Sequence, residues 1–519
     1  MAEVYGAPMF QRRRPAGGTS RRHQALQPAS ERMTLRLLLA CTLLACEPAS
    51  LAAQPAADPD PGVAGHVSNT TRVESWRFFE PPLAGVDPRY TFFGNRSDLG
   101  LQVRAPRFDL SGGFSYVRVE RLPTDAIGPG GLGTGAFYFA SSGLPYSYQV
   151  FLTELTVAAH TRGRRVTVTA GRMRHTSGAE GTHVEPGRAS PHLTEVRRMG
   201  LDGRLLGTFD WSFYQRRFDG VRVDVDGDRR YAGAGAFLVT QGVFEESANL
   251  TMTRLQVGTT YLGWRHGGAG ETQVFAHAYR DRRAIDFRPD NAAAPTDAAN
   301  VSLYAVGASH VGTVRVGTGD ADWLAWGAAQ GGDWYGQVHR ADAAAIEGGY
   351  RWSARAWTPW LRVGVSYASG DHSPSDLRHE TFFPMLADVR TYAQSMVYAP
   401  MNLRDGFIRV LARPHPRAQV RVDLHRLDLI EVADRWYQGG GATTRDGRFF
   451  GYSTRASGGA RGLGTVLEAS ADVRVSRYWS INGYAARMWG GPVVRTRFAS
   501  DRLVYWYVEN VLRLDLKTP

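Results

Sequence analysis

Five arginines recur at polar positions within otherwise alternating segments: Arg222, Arg362, Arg421, Arg474 and Arg513. A guanidinium is permanently charged and holds a carboxylate bidentately, so a ladder of them could guide a chain of carboxylates stepwise. Charged side chains ringing a lumen are a general device for ion selection. The same residues could instead neutralise acids in the wall. Asp423 and Asp472 stand two residues from Arg421 and Arg474 on the same faces. An anion path and structural ion pairs are therefore both open readings.

Other candidate chemistry is thinner. Asp224, Asp226 and Asp228 surround Gly227 and could offer oxygen ligands to a hard cation such as calcium. The later glutamate of a full calcium loop is missing, so a solvated hairpin turn with no metal is expected. Ser369-Gly370-Asp371 offers a hydroxyl, but no histidine or lysine base can be assigned to it. A turn at a strand end is expected there, and no catalytic residue is assigned. The 14 histidines show no recognised ligand spacing, and His372 and His379 fall in the loop that follows. No cofactor is implied.

The arginines need strands to position them. Residues 467–476 set Leu467, Ala469, Ala471, Val473 and Val475 against Glu468, Ser470, Asp472, Arg474 and Ser476. Successive strand side chains point to opposite faces, so this segment has one oily and one wet face. Leu361, Val363, Val365 and Tyr367 alternate in the same way with Arg362, Gly364 and Ser366, as do Ala418, Val420, Val422 and Leu424 with Gln419, Arg421, Asp423 and His425. Near the C-terminus Val504, Trp506, Val508, Leu512 and Leu514 share one phase, interrupted by Asn510. Asp226-Gly227 reads as a tight hairpin turn. Longer gaps at Pro123–Gly135, Gly178–Pro191, Pro289–Ala299, His372–Met401 and Gln438–Arg461 read as external or lumen-folding loops.

Composition agrees with a membrane barrel. The chain of 519 residues contains 59 Gly, 13 Trp and 22 Tyr. Barrels use Gly in turns and smooth walls, and Trp and Tyr in interfacial girdles. Trp479, Trp489, Trp506 and Tyr507 are expected in such girdles. No segment after residue 53 is apolar for the roughly 20 residues a membrane helix needs. An open sheet edge in lipid leaves backbone groups unpaired, so the strands must close. At about 10 residues per strand the length allows roughly 16–18, which leaves an aqueous channel.

The N-terminus reads as a leader. Met33-Thr-Leu-Arg36 is a basic start, Leu37–Ala45 an apolar core, and Ser50-Leu-Ala52 a cleavage signal. Residues 33–53 are thus a signal peptide, and 1–32 an over-extended segment ahead of it. Both cysteines, Cys41 and Cys46, lie inside the signal, so cleavage leaves no disulfide or thiol ligand. The competing reading is a lipid-anchored Cys46. Residues 54–87 read as a spacer and periplasmic lead-in, and 88–519 as the barrel. The net charge is +12, to which residues 1–53 contribute seven Arg against three Glu. The cations are almost all Arg, which a GC-rich genome or an anion pathway would each produce. No basic-aromatic motif points to nucleic acid.

Several motifs occur in a familiar order. Ala170-Gly-Arg-Met173 is followed by Gly178, Trp211 and Arg217-Phe-Asp-Gly-Val-Arg222. Then come Tyr367-Ala-Ser-Gly-Asp371, Thr381-Phe-Phe-Pro384, Asn402-Leu403 and Asp434-Arg-Trp-Tyr437. Leu463-Gly-Thr465, Ser480-Ile-Asn-Gly-Tyr484 and Gly490-Gly491 close the series. In this order they resemble the alginate export family of outer-membrane barrels, over roughly residues 88–519. The resemblance implies an all-β, transmembrane, antiparallel up-and-down β-barrel of about 18 strands, a monomer in the Gram-negative outer membrane. It implies passive export of an anionic, alginate-like polyuronate through an arginine-rich lumen, with no enzymatic step. The alternatives are a porin for uptake of small anionic solutes and a plugged structural barrel. Outer-membrane lipid and a periplasmic export scaffold are the further partners this role admits.

Overall fold

The computed structural model describes residues 61–517, apart from 129, 181–188, 286–287, 293–300 and 446–448. The leader, Met33, Cys41 and Cys46 lie outside the described residues, as does part of the Gly178–Pro191 and Pro289–Ala299 segments.

A closed antiparallel barrel of 18 strands accounts for most of the chain. The strands are β1 Gly62–Arg77, β2 Arg89–Arg104, β3 Phe108–Glu120, β4 Tyr146–His160, β5 Val166–Met173 and β6 Phe218–Asp226. They continue as β7 Arg230–Thr240, β8 Thr251–Arg265, β9 Gly270–Asp281, β10 Val301–Val316, β11 Gly319–Trp334 and β12 Gln337–Arg351. The last six are β13 Trp360–Ala368, β14 Leu403–His415, β15 Ala418–Leu429, β16 Gly462–Arg474, β17 Trp479–Gly490 and β18 Arg502–Lys517. Each pairs with its neighbours in sequence, and β18 pairs back onto β1 with Tyr505 opposite Trp76 and Glu509 opposite Arg72. Closure removes the edges that lipid would not tolerate.

The two ends differ. One carries tight connections such as 105–107, 227–229, 317–318 and 416–417. At 227–229 the Gly227 N–H donates to the Arg230 carbonyl at 2.8 Å, as the hairpin reading requires. The other end carries long segments, chiefly 121–145, 174–217, 369–402 and 430–461. Short helices sit among them: α1 Thr134–Ser142, α2 Pro191–Gly200 and α3 Pro492–Arg495. In α2, Ser190 caps the first turn by accepting from the Leu193 N–H at 3.1 Å, and Pro191 follows where no donor is needed. Its Leu193 and Val196 are buried in one apolar cluster with inward wall residues including Tyr231, Phe275 and Trp326. The long segments thus fold back into the barrel and fill much of it with two apolar clusters.

The outward phase is apolar as expected: Val363, Val365, Val422, Leu424, Leu467, Val504, Val508, Leu512 and Leu514 all face out. One boundary is corrected. The segment 54–87, expected as a spacer, contains β1, so the barrel starts at Gly62. The alternation of β1 is hidden because polar Asn69, Thr71 and Ser75 interrupt the outward phase of Val63, Val67 and Val73. Arg72 and Glu74 point inward, while Asn69 and Thr71 point outward and bond to β2. Asn69 donates to Ser97 at 2.8 Å, and Asn95 donates to Thr71 at 2.7 Å. Mutual hydrogen bonding is what permits these groups on an outer face.

Candidate functional site: an arginine-lined vestibule

The lumen divides into two regions. Toward β11–β16 it is packed. Arg362 and Arg409 are fully buried. Arg362 reaches Glu347 at 2.8 Å and Asp322 on the other side. Arg409 contacts Asp423 at 3.0 Å, and Arg421 donates to the same carboxylate at 2.7 Å. Loop residues complete these networks. His192 of α2 lies 3.2 Å from Asp322, and the Tyr392 hydroxyl donates to Glu347 at 3.0 Å. A charge enclosed among paired partners fixes the wall and is not offered to a passing ligand.

Toward β18, β1, β2 and β3 the lumen opens into a vestibule of about 670 Å³ at the tight-turn end. Arg72, Arg96, Arg174, Arg217, Arg390 and Arg513 line it, against Asp98, Glu154, Asp210, Glu509 and Asp515. Its floor comes from the long segments 174–217 and 369–402. Phe213 reaches the wall because β2 carries Gly94 there, where an added Cβ would lie 2.0 Å from the ring. Arg72 donates to the Trp211 carbonyl at 2.7 Å and Arg96 to the Ser212 carbonyl at 2.9 Å, pinning the floor to β1 and β2.

Most lining arginines are neutralised. Arg72 meets Glu74 at 2.9 Å and Glu509 at 2.6 Å, and Arg96 meets Asp98 at 3.0 Å. Arg217 contacts Asp210 at 3.1 Å, and Arg174 contacts the same acid. Burial alone would raise the pKa of Asp210, but Arg174 and Arg217 outweigh it and hold the carboxyl well below its ordinary range. Arg390 differs. No carboxylate among the described residues forms an ion pair with it. Its guanidinium lies 3.7 Å from the centre of the Trp211 ring and donates to the Tyr505 hydroxyl at 3.1 Å. Tyr507 lines the same space. A cation flanked by aromatic faces suits a carboxylated sugar, whose acid pairs with the guanidinium while its ring stacks. Beneath the floor Asp388 accepts from Trp211 Nε1 at 3.0 Å. Burial pushes its carboxyl up to about 6.

The sequence candidates separate accordingly. Arg222, Arg362, Arg421, Arg474 and Arg513 all take the inward phase, but they do not form one ladder. Arg222 bonds Asp224 at 2.8 Å, and Arg513 bonds Asp515 at 2.9 Å while lining the vestibule. Arg474 sits exposed at the tight-turn end of β16, and no ion pair involves it among the described residues. The aspartates Asp224 and Asp226 face Arg222 and Arg265, the latter at 2.8 Å, so arginines take the place a cation would occupy. Trp479, Trp489 and Trp506 face outward as girdle residues. Tyr507 is corrected: as the neighbour of Trp506 in a strand it must face inward, and it is buried at the vestibule. Sequence spacing does not reveal Arg72, Arg96, Arg174 and Arg390. The first two sit in strands with weak alternation and the others in loops, where spacing carries no orientation.

A model of the family described as Alginate export matches residues 197–506. No curated protein sequence matches the chain. Among solved structures the chain resembles OccAB4 of Acinetobacter baumannii at 7% identity and a TM-score of 0.56, over 88% of this chain and 98% of that one. It resembles a BenF-like porin from Pseudomonas fluorescens Pf-5 at 9% identity and a TM-score of 0.55, over 88% and 99%. It also resembles Pseudomonas aeruginosa OccK2 (OpdF) in complex with glucuronate, at 9% identity and a TM-score of 0.53, over 88% and 99%. At such identities the likeness establishes the barrel fold.

Proposed function

The chain belongs to the alginate export family, and from that premise we propose that it is a passive outer-membrane channel for export of an anionic, alginate-like polyuronate. The observation that carries this reading is Arg390. It is a half-buried cation with no carboxylate partner among the described residues, set on the vestibule floor between Trp211 and the tyrosines of β18. Weak, repeated contacts are what a conducting path needs, because tight binding would stop transit. The neutralised arginines around Arg390 keep the walls polar without trapping the cargo.

A second reading has its own support. The segments 174–217 and 369–402 pack the lumen beyond the vestibule, which favours a small anionic solute over a polymer. The likeness to a porin crystallised with glucuronate fits this reading too. Reversal potential in a planar bilayer under a salt gradient separates the cases. Anion selectivity with current block by oligouronate supports polymer export. Anion selectivity with block by monomeric glucuronate alone supports the small-solute porin. Cation selectivity sinks both, and absence of conductance favours a plugged barrel.

A further inference from the structure

We propose that the outer rim of the barrel at the β18–β1–β2 seam holds the phosphate groups of a phosphorylated glycolipid of the surrounding membrane. The site is a cleft of about 510 Å³ at the long-loop end, on the outside of the wall. Arg77, Arg89, Arg495 and Arg502 line it, with Glu80, Ser500 and Asp501.

Register places three of the arginines on the outer face. Arg77 ends β1 directly between Val504 of β18 and Arg89 of β2. Val504 faces lipid, so its cross-strand partners do as well. Arg502 lies two residues from Val504 in the same phase, opposite Trp489 of β17. The apolar band starts just below. From Val504 to Leu514 the strand spans roughly 25 Å, taking about 3.3 Å per residue and a tilt near 40°, which is the height of a hydrocarbon belt. The guanidiniums therefore stand at headgroup level, beside the girdle tryptophans Trp489 and Trp506.

The cleft is built before any ligand arrives. The Glu80 N–H donates to Ser500 Oγ at 2.8 Å, and the Ala499 N–H donates to the Glu80 carbonyl at 2.8 Å, stitching segments 78–88 and 491–501 together. Phe78 and Phe498 pack edge to face beneath, with centroids 5.9 Å apart. The internal ion pairs are long and exposed: Arg89 to Asp87 at 3.8 Å and Arg495 to Asp501 at 3.7 Å. Such pairs contribute little and yield readily to a better anion. Arg77 and Arg502 form no ion pair among the described residues. Unlike most of the lumen arginines, these are cations without committed acids. Guanidinium forks suit phosphate oxygens bidentately. In outer-membrane barrels the long loops face the cell exterior, and the leaflet on that side is built of phosphorylated glycolipid. The inference is independent of what the lumen carries.

The test is native mass spectrometry of the refolded chain in non-ionic detergent with diphosphorylated lipid A and with its dephosphorylated form. Retention of the diphosphorylated form alone is expected. R77Q/R502Q is expected to weaken it roughly tenfold, and R77K/R502K to recover part of it. Heat-shifted gel mobility reports whether each variant has folded. Should the glutamine variant fail to fold, the comparison of the two lipids on the unaltered protein still decides. Equal retention of both lipids, or unchanged retention by the folded R77Q/R502Q variant, overturns the proposal. Displacement of the lipid by millimolar inorganic phosphate reassigns the cleft to a soluble anion and overturns the lipid assignment.

Discussion

On the β11–β16 side of the lumen, Arg362, Arg409 and Arg421 are locked between wall carboxylates and covered by α2 and by the segment containing Tyr392. On the β18–β3 side, Arg72, Arg96 and Arg513 also meet carboxylates, but an open vestibule stands in front of them, and Arg390 is added from a loop without an acid of its own. Residue type and strand phase are shared. The difference lies in what covers the guanidinium and whether a carboxylate is already committed to it. Inward-facing arginines therefore do not by themselves define a pathway. Cover and pairing decide between a strut and a contact for cargo.

The sharpest way to break this comparison is Arg362→Ala. Removing it strips Asp322 and Glu347 of a buried counter-ion, and about 3–5 kcal/mol of stability should be lost. Urea unfolding of the refolded barrel would read this, and a loss near zero would mean that the packed side is not structural. Arg390→Gln should leave unfolding nearly unchanged and act on transport. A fall of roughly fivefold in the affinity for a blocking oligouronate is expected, about 1 kcal/mol. Unaltered block would remove Arg390 from the pathway.

The third prediction concerns pH. The carboxyl of Asp388 rises to about 6 in the folded protein, above its ordinary value. The folded state therefore binds this proton more tightly, and the group's contribution to stability is present at low pH and lost as pH rises through about 6. Below that value the floor also loses a negative charge. Anion selectivity should be greater at pH 5 than at pH 7.5, and Asp388→Asn should remove that step. A step that survives in the variant would assign it to another group. The smallest effect is expected from Arg513→Gln. Its pair with Asp515 is exposed, so stability should change by less than about 1 kcal/mol. A larger loss would show that the open side of the lumen also depends on its ion pairs.

Much of the barrel could be read from the sequence, because lipid imposes a strict rule on one face of each strand. Residues 467–475 and 504–514 obey it, and the structure turns those apolar residues outward. The alternation of β1 is masked because its outer face satisfies Asn69 and Thr71 with hydrogen bonds to side chains of β2, which the pattern within one strand cannot anticipate. Tyr507 departs from the girdle expectation for a simpler reason: residue type near a strand end suggests a girdle, while its phase points inward. The vestibule was legible only at Arg513. Arg390 and Trp211 meet through the folding of two separate loops, and no periodicity encodes that encounter.

The seam between β1 and β18 has a consequence for biogenesis. Arg72 bonds Glu509 across 437 positions of sequence, and Trp76 stacks on Tyr505 with centroids 3.9 Å apart. These contacts can form only after synthesis of the final strand. Until then the nascent sheet has two unpaired margins, which promote aggregation in water and are intolerable in hydrocarbon. Closing so long a loop is among the slowest steps open to a folding chain. Premature termination anywhere before β18 should therefore yield no partial pore, only material for the periplasmic proteases, and the aromatic stack at the seam acts as the last latch to shut.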